Sequence, residues 1–299
     1  MRVLVSGATG LIGSALVRGL SADGHAITPV VRSSAKGRSG VVRWDPEAGT
    51  LDTNGLEGHD AVVHLAGENI AGDRWTPERK ARIRDSRVGG TRLLCDSLRR
   101  LDRPPRVLVC ASATGYYGNR GREVLREESP PGEGFLAEVC REWEAATEGA
   151  ARKGLRVVNL RIGMVLSPDG GALAKMLPAF RAGAGGRIGN GEQYMSWIAL
   201  PDLVGVIRHA LSSASLDGPV NAVAPQPVTN REFTKTLGRV LGRPTVALLP
   251  AFAARLLFGE MAEELLLSGA RVEPAKLLSS GYRFLHPELE GALRGMLGE

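Results

Sequence analysis

An apolar run at the start of the chain, Arg2-Val-Leu-Val-Ser6, ends on Gly7, and an amphipathic stretch from Leu11 to Leu20 follows. Between them the spacing is Gly7-x-x-Gly10-x-x-Gly13. A glycine pattern takes its meaning from its surroundings, and strand, glycine turn and helix are the surroundings a dinucleotide needs. Gly7 permits the tight turn, Gly10 lets a pyrophosphate approach the backbone, and Gly13 lets helix and strand pack closely. The free N–H groups opening the helix then face the phosphates. The alternative is a plain strand-to-helix turn; the place of the pattern at the first strand favours dinucleotide binding.

Further along, apolar strands alternate with helices. His25–Arg32, Val41–Asp45, Asp60–Ala66, Arg106–Ser112 and Leu155–Leu166 read as strands. Leu11–Ala22, Thr76–Leu101 and Glu133–Lys153 read as helices, the longest with apolar positions at Ile83, Val88, Leu93, Leu94 and Leu98. Continuous apolar strands between helices predict a parallel sheet covered on both faces. The fold class is therefore α/β, a Rossmann-type doubly wound parallel sheet with ligands beyond the carboxyl ends of its strands. After Leu166 helices dominate, at Pro201–Ser213, Asn230–Leu241, Pro250–Gly259, Ala262–Gly269 and Pro287–Leu297. The expected division is a cofactor domain over 1–166, to which 201–223 returns, and a smaller, mostly helical substrate lobe over 167–299.

Composition narrows the class of protein. The chain has 299 residues and is 43% hydrophobic, enough for a substantial core. No apolar run approaches the length of a membrane span, and Met1 leads straight into strand residues without a basic leader or cleavage-type site. Cys95, Cys110 and Cys140 stand far apart and form no C-x-x-C motif for metal or redox chemistry. A soluble, cytoplasmic protein with no membrane partner is expected. The net charge of +6 comes from 38 Lys+Arg against 32 Asp+Glu, and acids interleave with the basic residues, as in Arg79-Lys-Ala-Arg-Ile-Arg-Asp85. With aromatics at only 5%, solvated helix faces and some attraction for an anionic cofactor account for that charge, and nucleic acid is not expected as a partner. Nothing in the sequence sets the oligomeric state.

The end of the second strand bears on which dinucleotide is bound. An NAD-selecting sheet carries an acidic residue near this point to receive the ribose hydroxyls. Here stands Arg32, followed by Ser33, Ser34, Lys36 and Arg38. A guanidinium matches a 2′-phosphate in charge and bidentate geometry, so NADP(H) is the expected cofactor. The competing role for Arg32 is to cap an exposed strand end. The strand ending Leu65-Ala66-Gly67 brings small residues to the adenine side, and Arg82 and Arg87 on the long helix could reach inward from one face, the alternative for each being a solvated surface position.

These residues resemble the extended, or atypical, short-chain dehydrogenase/reductase superfamily, the group of NAD-dependent epimerases and dehydratases. More narrowly the chain is similar to an uncharacterised epimerase-like subfamily with a distinctive C-terminal domain. The matching stretches are Gly7-Ala-Thr-Gly-Leu-Ile-Gly13, Leu65-Ala-Gly-Glu-Asn-Ile70, Arg84-Asp-Ser-Arg-Val88, Gly115-Tyr-Tyr-Gly118, Gly171-Ala-Leu-Ala-Lys-Met-Leu177, Met195-Ser-Trp-Ile198 and Gly259-Glu-Met261. The resemblance runs essentially end to end. It implies a Rossmann-type NADP(H) domain with a substrate lobe. The expected cofactor contacts are Ser6, Gly7, Thr9, Gly10, Leu11, Ile12, Gly13, Arg32, Leu65, Ala66, Gly67, Glu68, Arg82, Arg87, Ala111 and Leu166.

Superfamily enzymes carry a Ser or Thr at the end of the fifth strand and Tyr-x-x-x-Lys on the next helix. The tyrosine moves the proton, and the lysine holds the ribose and lowers the phenol's pKa. Ser112 ends the strand here, with Thr114 two residues later. The helix departs from the pattern: one register puts Leu136 and Cys140 on the Tyr and Lys positions, the other Phe135 and Val139. Neither supplies a phenol or an ammonium. Tyr116 and Tyr117, in a loop bounded by Gly118 and Gly121, stand just past the strand and could pack between lobes or reach a ligand. Ser112 and Tyr116 are the expected catalytic residues, with Tyr116 partly replacing the helix tyrosine. A tyrosine with no lysine beside it is a poor base at neutral pH yet still donates a proton, which favours slow reduction.

Two functions follow. One is an NADP(H)-dependent oxidoreductase or epimerase acting on an anionic or nucleotide-sugar-like small molecule, for which Arg181 and Arg187 around the glycine-rich Gly183–Gly191 segment would suit. The other is a catalytically weak NADP(H)-binding sensor or partner-binding module, which explains the missing Tyr and Lys directly.

Overall fold

The computed structural model describes residues 1–32, 39–72 and 74–299. Among them eight strands form the main sheet: β1 (Arg2–Ser6), β2 (Ala26–Arg32), β3 (Val42–Asp45), β4 (Thr50–Leu51), β5 (Ala61–His64), β6 (Val107–Ala113), β7 (Arg156–Ile162) and β8 (Gly218–Ala222). Their order across the sheet is β8-β7-β6-β5-β1-β2-β3-β4. Neighbours run parallel except β3 and β4. The principal helices are α1 (Leu11–Ala22), α2 (Pro77–Leu98), α3 (Phe135–Ala145), α4 (Gly171–Arg181), α5 (Leu200–Ser212), α6 (Asn230–Val240), α7 (Ala251–Phe258) and α8 (Leu289–Leu297).

The continuous apolar strands bury both faces, which is why they lack polar alternation. Val5, Val63, Val109 and Leu160 face one way and meet Leu16 of α1 and Leu203 and Val206 of α5. Leu4, Val62, Leu108 and Val157 face the other way and meet Leu94 and Leu98 of α2 and Trp143 of α3. The chain runs from β1 outward to β4, then returns to place β5 on the other side of β1. This reversal makes the carboxyl ends of β1 and β5 the switch point where such sheets bind ligands.

Several elements differ from expectation. The stretch Leu155–Leu166 breaks at Gly163, where a Cβ would lie 2.4 Å from the Ser196 carbonyl oxygen. Met164–Leu166 then pairs with Trp197–Ala199 outside the main sheet. The helix expected over Glu133–Lys153 ends at Ala145, before a short turn over Glu148–Ala151. Ala262–Gly269 is largely a wide π turn, Glu263–Leu267, rather than an α-helix. Beyond the sheet, α4, α6 and α8 gather around Trp197, Phe180, Phe233, Leu237 and Leu293 in a second core. Among the described residues no helix is long and apolar enough to cross a membrane.

Candidate functional site

The glycine turn is shaped by close backbone approach. Gly7 has φ +68°, and a Cβ there would stand 2.8 Å from the Leu65 carbonyl carbon. A Cβ on Gly13 would lie 2.1 Å from the Gly7 oxygen, so α1 can press onto the turn only with glycine there. Gly10 meets little beyond the Gly7 oxygen at 3.4 Å, which leaves its outer side open. No side chain caps α1, whose N-cap is Gly10 itself. An uncapped helix start beside an open glycine suits a pyrophosphate, so the residues present fit the dinucleotide that the sequence calls for.

Ser6 ties this turn to β5. Its Oγ accepts the N–H groups of Leu65 and Ala66 at 3.2 and 3.3 Å and lies 2.6 Å from His64 Nδ1. Two N–H donors fill the hydroxyl's lone pairs, so we assign its hydrogen to Nδ1 and the ring hydrogen to Nε2. Burial holds the His64 pKa down to about 4, so the ring is neutral near neutrality. Nε2 has no partner among the described residues.

The remaining expected cofactor residues divide. Thr9 and Gly10 are exposed, while Leu11, Ile12, Leu65, Ala66 and Glu68 are half-buried around the turn. Arg32 is exposed at the carboxyl end of β2; Ser33, Ser34, Lys36 and Arg38 lie outside the described residues. Arg87 turns inward, donating to the Glu68 carbonyl at 3.0 Å and stacking 5.2 Å from the Trp143 ring. Arg82 is exposed and does not share that face, because five residues along a helix is about 140° around it. Arg79, expected only as part of a solvated, mixed-charge helix face, is instead buried and pairs with the Glu68 carboxylate and the Asn69 carbonyl. The Leu166 side chain is wholly buried in the second core. Ala111 is buried on the α2–α3 side of the sheet.

The end of β6 carries a buried charged network. Ser112 donates to Glu144 Oε1 at 2.7 Å. Arg161 of β7 grips the same carboxylate with both ends of its fork, Nε at 2.8 Å and Nη2 at 2.9 Å. Arg161 Nη1 donates to the Tyr117 hydroxyl at 2.9 Å, and that hydroxyl donates to Asn221 Oδ1 at 2.7 Å. Tyr116 sits half-buried in a one-turn helix, Thr114–Tyr117, with the Arg161 guanidinium carbon 3.5 Å from its ring centroid. A cavity of about 370 Å³ opens beside it, lined among others by Tyr116, Glu144, Thr147 and Asn159.

Of the two registers on α3, Leu136 and Cys140 are the pair that faces this strand end. A Cβ on Gly115 would lie 3.3 Å from the Leu136 Cβ and 3.8 Å from the Cys140 sulfur. Burial pushes the Cys140 thiol up to about 12, so it stays protonated. Burial also raises Tyr117 to about 12, against the opposing pull of Arg161. Neither group is a base near neutrality. The sequence reading missed Arg161, whose signal was present: Asn159 and Arg161 occupy alternate positions among the apolar residues Val157, Val158, Leu160 and Ile162, so both point to one face.

Residues 3–222 match the family of NAD dependent epimerases and dehydratases, and residues 249–296 match a domain of unknown function, DUF1731. The chain belongs to the NAD dependent epimerase/dehydratase family. It is 45% identical over 291 residues to the epimerase family protein Mb2239 of Mycobacterium bovis, covering 97% of this chain and 96% of that one. It is 39% identical over 297 residues to the epimerase family protein SDR39U1 of Homo sapiens, covering 98% and 99%. A crystal structure described as human SDR39U1, isoform 2, with NADPH superposes with a TM-score of 0.90 at 37% identity over the full length of both chains.

In this epimerase-family protein the DUF1731 segment packs against α2 and α3. Glu264 accepts the backbone N–H groups of Phe135 and Leu136 at 3.1 and 3.3 Å, capping α3. Gly134 makes this approach possible: its φ is +103°, and a Cβ there would lie 2.4 Å from Glu264 Oε1. Phe258, Met261 and Leu265 pack with Trp75, Ile83, Phe135 and Val139 in one apolar cluster. Trp197 is fully buried in the second core and donates to the Gln226 carbonyl at 3.0 Å.

Proposed function

We propose that this family member binds NADP(H) and acts as an oxidoreductase or epimerase on a small, anionic or nucleotide-sugar-like metabolite. The observation that carries the reading is the Ser112–Glu144–Arg161 network at the end of β6. A buried, fully oriented charged group at that strand end serves chemistry better than packing, because burying charges is costly. The relative described with NADPH supports the choice of cofactor.

When bound, the dinucleotide supplies or accepts a hydride. The chain's own residues do the rest. Arg161 fixes the Glu144 carboxylate by two N–H contacts, and the carboxylate fixes the Ser112 hydroxyl. With its hydrogen committed to Glu144, Ser112 Oγ is left to accept a hydrogen bond from a substrate hydroxyl or amide. Tyr116 is the proton donor. Arg161 on its ring face places near the phenol the sign of charge that the missing lysine would have supplied.

The second reading, a catalytically weak NADP(H)-binding module, draws on the apolar Leu136 and buried Cys140 that face this strand end. Deuterium transfer separates the two. The protein would be incubated with NADPH deuterated at the transferable ring position and phosphorylated ketones, which accept the deuteride, and separately with NADP+ and nucleotide sugars, which give up a hydride and take it back on epimerisation. The enzyme reading predicts deuterated product or an epimer, lowered roughly 10²-fold by Tyr116→Phe. No conversion of any kind, with NADPH shown to be bound, would support the module.

A further inference from the structure

A cavity of about 300 Å³ lies in the second lobe, between α6 and the paired strands Gly186–Ile188 and Ala247–Leu249. Arg187, Arg231, Lys235, Thr234, Thr245 and Val246 line it, and no carboxylate does. It shares no lining residue with the glycine turn or with the network at β6. Arg187 and Arg231 both donate to the Asn190 carbonyl, at 3.2 and 3.0 Å, which holds two guanidinium groups side by side. Arg231 also pairs with Glu192 at 2.8 Å, but Glu192 is shared with Arg122 at 3.2 Å. Lys235 has no hydrogen-bond or ion-pair partner among the described residues. Three cations against one shared carboxylate leave uncompensated positive charge, and like charges this close repel unless an anion joins them.

The walls of the cavity are built for close contact. Thr234 is only 3% exposed, yet it lines the cavity and its hydroxyl has no partner among the described residues. Thr245 is pressed against α6 at Gly238, where a Cβ would stand 2.3 Å from the Thr245 methyl. The Arg243 N–H donates to the Gly238 carbonyl at 2.9 Å and locks the loop in place. Glycine is a poor helix former, and inside α6 it serves to bring the Thr245 wall close.

We propose that this cavity is a second ligand site, which takes the phosphoryl or diphosphoryl group of a small soluble molecule. Paired guanidinium forks suit phosphate oxygens, a lysine adds a point charge, and two hydroxyls complete the donor set. Val246, on the rim, meets the part of the ligand beyond the phosphate. The site is independent of the dinucleotide reading.

The test is calorimetric titration of inorganic pyrophosphate into protein already saturated with NADPH, so that the glycine turn is filled. Binding to the native protein is expected, weakened at least tenfold in Arg187→Ala/Lys235→Ala with NADPH affinity unchanged. Lys235→Gln, at an exposed position, tests the same point without disturbing the Asn190 contact and should weaken binding severalfold. If NADPH itself fails to bind, pyrophosphate at the empty turn is insensitive to these substitutions, so the contrast between variants still reports on this cavity. Absence of pyrophosphate binding, or binding equal in the native protein and Lys235→Gln, overturns the proposal.

Discussion

Glu264 accepts the backbone N–H of Phe135 at 3.1 Å, so the C-terminal segment holds the start of the very helix on which the expected phenol and ammonium are missing. A carboxylate at a helix N-terminus satisfies orphan N–H groups and complements the helix dipole. The contact joins the DUF1731 segment to α3, one face of which looks onto Ser112. Position of the site and integrity of the C-terminal segment are therefore coupled.

Loss of that cap has a measurable cost. Glu264→Ala should destabilise the protein by about 1 kcal/mol, the usual value of a helix cap. Gly134→Ala should cost more, because it combines a positive φ with a collision against the carboxylate. Denaturant midpoints of the two variants check the order; an unchanged midpoint for Glu264→Ala would show that the contact contributes nothing.

Arg161→Met leaves the largely buried Glu144 carboxylate without its cation. Breaking a buried ion pair from one side costs about 3–5 kcal/mol, whereas replacing both partners costs far less. Arg161→Met/Glu144→Gln should thus be more stable than Arg161→Met alone. Equal melting temperatures for the single and double variants would rule out the coupling.

Acid should weaken the fold through His64. Its folded pKa is about 4, below the unfolded value of 6.5, because burial disfavours the charged ring. The unfolded chain therefore binds the proton first, so this contribution is complete above pH 6.5 and is lost as pH falls toward 4. The loss is on the order of 3 kcal/mol. His59 and His209, also lowered by burial, add in the same direction. Stability measured from pH 7 to 4 should fall less steeply in His64→Phe than in the native protein, and parallel curves would contradict this.

The glycine turn and the buried strands were legible because each rests on a local pattern, a glycine spacing or a run of apolar residues. What escaped the sequence reading depends on partners distant in the chain. Gly163 breaks its strand because of Ser196, and Glu264 caps a helix that begins at Phe135. Neither leaves a trace in local composition. Arg161 is intermediate: its charge in an apolar strand was visible, but its partner Glu144 was not, since the pairing requires α3 to lie against β7. The one face expected for Arg82 and Arg87 was a simpler matter, since helical periodicity alone separates the two.

In the proposed function the dinucleotide is held at the glycine turn with its 2′-phosphate against Arg32. Titration of NADPH and NADH into the native protein and Arg32→Ala tests this most directly. One charge-assisted contact to a phosphate is worth about 1.5–3 kcal/mol, so NADPH should bind roughly 10- to 100-fold more tightly than NADH. Arg32→Ala should remove most of that preference while leaving NADH affinity unchanged. Equal affinities of the native protein for the two dinucleotides, or no binding of either, would contradict the account.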